Sequence, residues 1–93
     1  MNNEQFDSVW DAIEDTPQES ENMRLRSRLV MALAERIKAE AWTQKQAAVR
    51  LGVTQPRISD LVRGKIDLFS LDSLVNMVGA AGLHVEMSVE HAA

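Results

Sequence analysis

The chain has no cysteine, and its 93 residues include only four glycines and two prolines. Without thiols, disulfides and thiolate chemistry are excluded, which suits a reducing compartment. The glycines are spread out as Gly52, Gly64, Gly79 and Gly82, so a phosphate-cradling loop is missing. No apolar run approaches the ~18 residues of a membrane span, and the acidic N-terminus lacks the basic-then-apolar order of a secretory signal. The expectation is a soluble, cytoplasmic protein with no membrane association. His84 and His91 stand too far apart to suggest a metal site and read as surface residues. With no Ser/His/Asp arrangement, and with acids mainly on faces predicted to be exposed, an enzyme and a cofactor are not expected.

Basic residues are missing from both ends. Residues 1–22 hold seven acids and no base, residues 67–93 hold four acids and no base, and all ten Lys and Arg fall between Met23 and Ile66 with three acids. The net charge of −4 is thus the sum of a block at +7 and flanks at −7 and −4. Attraction to phosphate follows the local patch, so the middle block supports nucleic-acid binding while the flanks weaken nonspecific affinity. Arg24, Arg26, Arg28, Arg36 and Lys38 read equally well as a solvated helix face.

Punctuation residues divide the chain. Phe6, Val9, Trp10 and Ile13 recur at i, i+3, i+4, i+7 and predict a short amphipathic helix, with Glu4, Asp7, Asp11 and Glu14 outward. Such a helix has too little surface to stand alone and must dock in cis, on a second subunit or on a partner, with Phe6 and Trp10 as the contact residues. Thr16, Pro17 and Glu19 signal the start of a long helix ending near Glu40, with Met23, Val30, Leu33 and Ile37 as its core stripe, supported by Leu29 and Ala34.

Residues 43–64 carry the most information. Thr43 caps a helix whose Gln46 can complete a capping box, Ala47, Ala48 and Leu51 follow at helical spacing, and Gly52 sits where a helix end commonly needs positive φ. Val53 plugs the corner. Thr54 is a second N-cap, Pro56 falls in the first turn, and Ile58, Leu61 and Val62 form a stripe to be buried. Gln55, Arg57, Ser59, Asp60 and Arg63 remain outside. A helical hairpin with a corner glycine also occurs in bundles that touch no nucleic acid. Here two caps, the corner glycine, the small Ala47 at the crossing and a polar, arginine-bearing second helix occur together, as in a unit that puts a helix into the major groove.

Beyond Gly64, Ser70 caps a helix from Leu71 to about Ala81 with Leu71, Leu74, Val75 and Val78 buried, and Gly79-Ala80-Ala81-Gly82 stops it. Leu83, Val85, Met87 and Val89 then alternate with His84, Glu86, Ser88 and Glu90, which predicts a strand. A lone strand leaves its ladder unpaired, so the sequence predicts a homodimer in which Leu83, Val85, Met87 and Val89 meet their own copies.

Over residues 23–89 the chain resembles the lambda-repressor-like, Xre-type helix-turn-helix family, and more narrowly its small single-domain repressors and antitoxins. The likeness rests on Gln55-Pro56-Arg57-Ile58-Ser59-Asp60-Leu61-Val62-Arg63-Gly64, on Phe69-Ser70-Leu71-Asp72-Ser73-Leu74, and on Gly82-Leu83-His84-Val85-Glu86-Met87. It implies a dimer that sets two reading helices about one DNA turn apart on a near-palindromic operator. It also implies that Gln44 bonds a phosphate while bracing its neighbour, and that Lys65 and the amides near Ser70 lie at the backbone. Pro56 departs from the polar residue usual at that place in the family, which reduces one base contact to shape.

The expectation is an all-α bundle of about five helices with a C-terminal dimerising β-strand: an acidic arm over 1–22, a DNA-binding domain over 23–82, and a strand and tail over 83–93. The expected function is a sequence-specific repressor, which in the antitoxin subgroup also neutralises a small basic toxin. The competing reading is a protein-interaction module whose acidic arm captures a basic partner without DNA. The expected DNA contacts are Thr43, Gln44, Thr54, Gln55, Pro56, Arg57, Ser59, Asp60, Arg63 and Lys65. Gln55 matches adenine N6 and N7, Arg57 guanine or phosphate, and Asp60 cytosine N4 unless it pairs with Arg57, while Arg63 and Lys65 hold the backbone.

Overall fold

The computed structural model describes residues 16–92. Helix α1 spans Pro17–Ala39, α2 Gln44–Leu51, α3 Gln55–Val62 and α4 Leu71–Ala80, with a 3-10 turn at Ile66–Leu68 between the last two. Among the described residues there are therefore four α-helices and no strand, which corrects the expected five helices and terminal strand. The expected Phe6–Ile13 helix lies outside the described residues.

The helix starts follow their caps. Thr16 Oγ1 accepts the Glu19 N–H at 3.1 Å with Pro17 in the first turn. At α2 the capping box is complete: Gln46 N–H donates to Thr43 Oγ1 at 3.0 Å and Thr43 N–H to Gln46 Oε1 at 2.9 Å. Ser70 caps α4 through the Ser73 N–H at 3.1 Å. Thr54 occupies the cap position of α3 but makes no side-chain cap bond. Pro56 removes one of the two amides that could serve, while the Arg57 amide, the counterpart of the donors used at Thr16, Thr43 and Ser70, is not bonded to the Thr54 hydroxyl.

α1 lies along α4 and touches α3 and the 3-10 turn, while α2 packs on α3 and α4. Leu33, Ile58, Leu61, Phe69, Leu74 and Met77 are the largest fully buried side chains. Ala47 is fully buried where α2 and α3 meet, so its small size sets how closely they approach. Two stripes differ from expectation at one edge. Val62 is 39% exposed and Val75 47%, and Met77 fills the core in place of Val75. The apolar arc of each helix is narrower than its run of apolar residues, because neighbouring helices cover only the central rows.

Three arginines tie the connections down. Arg26 Nη1 donates to the Ile66 carbonyl at 3.3 Å, Arg36 Nε to the Ala81 carbonyl at 3.0 Å, and Arg57 Nη1 to the Leu68 carbonyl at 2.7 Å. The Ala81 and Leu68 carbonyls lie at or just past element ends, whereas the Ile66 carbonyl already accepts the Phe69 N–H at 3.1 Å and takes the Arg26 bond as a second one. The α1–α2 corner is closed by Ala41 at φ 57° and by Trp42, whose ring lies under both Arg36 and Arg50 at 5.9 and 5.3 Å.

After α4, Gly82 takes φ 77° and Leu83 N–H returns to the Val78 carbonyl at 3.0 Å. Leu83 packs on the core, but exposure then rises through Val85 and Met87 to 88% at Val89. The alternating pattern forms no ladder because a helical bundle offers no strand edge to pair with.

Candidate nucleic-acid interface

The α2–α3 corner is built from Gly52 at φ 71°, a left-handed conformation that disfavours any Cβ, and from the half-buried Val53 behind it. Ile58 and Leu61 anchor α3 in the core, which turns Gln55 and Pro56 at its start and Arg63 just past its end toward solvent. Thr54 is exposed too, and its hydroxyl is not spent on the cap. The first amides of α3 point out of the helix end, as they do wherever helix termini meet anions. On the preceding helix Gln44 and Lys45 are exposed in the first turn.

The expected DNA contacts separate into two groups. Gln44, Thr54, Gln55, Pro56, Arg63 and Lys65 are exposed. Thr43 is exposed as well, but its amide and hydroxyl already form the capping box. Ser59 and Asp60 are half-buried. Asp60 faces Lys65, with Nζ 3.9 Å from Oδ1, rather than Arg57. Arg57 is engaged within the chain: its guanidinium carbon stands 4.0 Å from the centroid of Phe69 while the same group donates to the Leu68 carbonyl, which fixes the segment after α3.

The cations near the hairpin and on α1 divide between engaged and exposed, with Arg28 and Lys38 exposed. Arg24 pairs with Glu21 and Arg36 with Glu40, and Arg26 and Arg57 are held as above. Arg50 stacks on Trp42 but stays exposed, so it and Lys45 join the basic surface, and neither was singled out from sequence. The available signal for Lys45 was its place next to Gln44 in the same first turn. Among the described residues no set of three or more His, Cys, Asp or Glu side chains gathers as a metal site, and no helix is long and apolar enough to cross a membrane.

Comparison with known proteins agrees with this geometry. A family model described as a helix-turn-helix domain matches residues 12–90. A solved structure whose name places it among XRE family transcriptional regulators superposes with a TM-score of 0.72 at 31% identity, covering 80% of this chain and 83% of its own. No curated protein matches the chain significantly. With a capped hairpin, a left-handed glycine corner and an exposed polar α3 in one continuous match, the chain belongs to the Xre-type helix-turn-helix family of transcription regulators.

Proposed function

We propose that the chain is a sequence-specific repressor that binds a near-palindromic duplex as a homodimer. The observation that carries this reading is α3, whose buried side is fixed by Ile58 and Leu61 while Gln55, the Thr54 hydroxyl and Arg63 face solvent uncommitted. Gln55 reads adenine through paired N6 and N7 bonds. Arg63, Lys65, Lys45 and the Thr54 hydroxyl hold phosphates and set register without reading sequence. Gln44 braces the start of α3 against the backbone. Repression follows by occupancy of promoter DNA.

A second copy is supported by another surface, one that contains no residue of α3. A groove of about 450 Å3 runs between α1 and the start of α4, with Leu25, Leu29, Leu71 and Val75 among its lining and the exposed Val85 and Met87 at its edge. Arg24 and Arg28 line it from α1, and Asp72 and Glu86 from α4 and the tail. Such a surface is self-complementary: across a twofold axis the basic residues of one copy meet the acidic residues of the other. Val85, Met87 and Val89 serve the dimer here as side chains on an extended tail, while Leu83 serves its own core.

The test is selection of bound fragments from random duplex DNA, followed by a salt titration of the winner. One enriched near-palindrome with a steep salt slope is the expected result. Enrichment of no sequence, with binding lost at any salt, refutes it.

A further inference from the structure

A second groove, of about 530 Å3, lies at the foot of α3, lined by Met23 of α1 and by Gly64, Lys65, Ile66, Asp67 and Leu68. Its floor is apolar: Met23 and Ile66 are half-buried, and Leu68 is 51% exposed. Its rim is mainly basic. Among the described residues the Lys65 side chain meets only Asp60, at 3.9 Å, Arg26 reaches across to the Ile66 carbonyl, exposed Arg63 precedes it in the chain, and Asp67 is the one acid in the lining.

What lies next to this groove along the chain is the N-terminal segment. Met23 is the seventh residue of α1, about 9 Å along its axis from the start. Fifteen residues precede Thr16, enough to extend ~50 Å, so the groove lies well within their reach. Those residues contain Phe6, Val9, Trp10 and Ile13 at the spacing of one helical face, together with Glu4, Asp7, Asp11, Glu14 and Asp15 and no base. They combine the two properties that the groove asks of an occupant, an apolar face and strong negative charge.

We infer that in the DNA-free protein residues 4–15 dock in this groove, with Phe6 and Trp10 on Met23, Ile66 and Leu68 and their carboxylates toward Lys65 and Arg63, and that duplex DNA displaces them. The displacement half rests on the DNA-facing reading of α3; the docking half does not. Tethering supplies an effective concentration on the order of millimolar, so a weak contact suffices. Two polyanions compete for one basic rim, and salt screens that competition. A second copy is the less favoured occupant, because seated there it would stand beside Arg63 and Lys65, the residues offered to phosphate.

The test uses three full-length proteins: the natural chain, F6A/W10A, which keeps every acid, and D7N/D11N/E14Q, which keeps the apolar residues. Methyl NMR reads docking and fluorescence anisotropy reads duplex affinity. Expected are shifted methyl signals of Met23, Ile66 and Leu68 in F6A/W10A, and duplex affinity raised about three- to ten-fold in both variants at low salt, with the gap closing as salt rises. Unmoved signals overturn the docking, as do shifts centred on Leu25, Val75 and Met87, or a change of oligomeric state in F6A/W10A. Moved signals with unchanged affinity overturn the displacement. Moved signals in a family of proteins none of which binds duplex leave the docking standing and sink the DNA reading instead.

Discussion

Replacing Arg57 by alanine separates the structural role of this residue from the base-reading role that its position on α3 suggests. In the structure the guanidinium lies 4.0 Å from the Phe69 centroid and donates to the Leu68 carbonyl at 2.7 Å. A cation over an aromatic face at a partly exposed site contributes about 0.5–1 kcal/mol. A hydrogen bond from a charged group contributes roughly 1.5–3 kcal/mol when protected, and less here because the bond is open to solvent. The expected cost of R57A is therefore about 1–2 kcal/mol, or roughly 4–16 °C in Tm for a domain of this size. Thermal unfolding followed by circular dichroism reads the shift, and R57K provides the control. Lysine keeps the charge but lacks the planar fork that stacks and donates together, so R57K should recover less than half of the loss. An unchanged Tm in R57A, with affinity lost only on the selected operator, would refute the clamp and return Arg57 to the bases.

Other substitutions probe the remaining parts. Gln55→Ala should cost about 1–3 kcal/mol on the selected operator and almost nothing on random duplex, with Tm held; anisotropy on the two DNAs decides it. Arg63→Ala should weaken all sequences alike and reduce the salt slope by about one, so an effect confined to the operator would contradict its phosphate role. Ala47→Leu inserts bulk where α2 and α3 meet and should cost about 1–3 kcal/mol in stability, with DNA affinity falling further as α3 is pushed out of register. Val75→Glu, on the groove between α1 and α4, should convert the proposed dimer to monomer in light scattering without lowering Tm of the fold, since Val75 is 47% exposed in the single chain.

The distribution of cations explains how a chain of net charge −4 can serve DNA. Several arginines are consumed by carbonyls and carboxylates inside the domain, and the basic groups still offered to solvent around α2 and α3 are few: Lys45, Arg50, Arg63 and Lys65. A small basic face flanked by acidic segments gives weak nonspecific attraction, so in the proposed reading discrimination falls to side chains such as Gln55.

By itself the order of residues determined whatever depends on neighbours in the chain. The caps at Thr16, Thr43 and Ser70, the left-handed glycine at Gly52, and the i, i+3, i+4 placing of Ile58 and Leu61 are local requirements of helix ends and faces, and each is found where the spacing puts it. Tertiary structure alone decided which polar groups remain free. Arg57 has the same local credentials as Arg63, yet Phe69 and the Leu68 carbonyl, eleven or more positions away, engage its guanidinium. Val75 belongs to the apolar stripe of its helix, but no neighbouring element covers that row. The alternation after Gly82 has the period of a strand and no ladder to join, because pairing is a property of two backbones and a helical bundle presents only one.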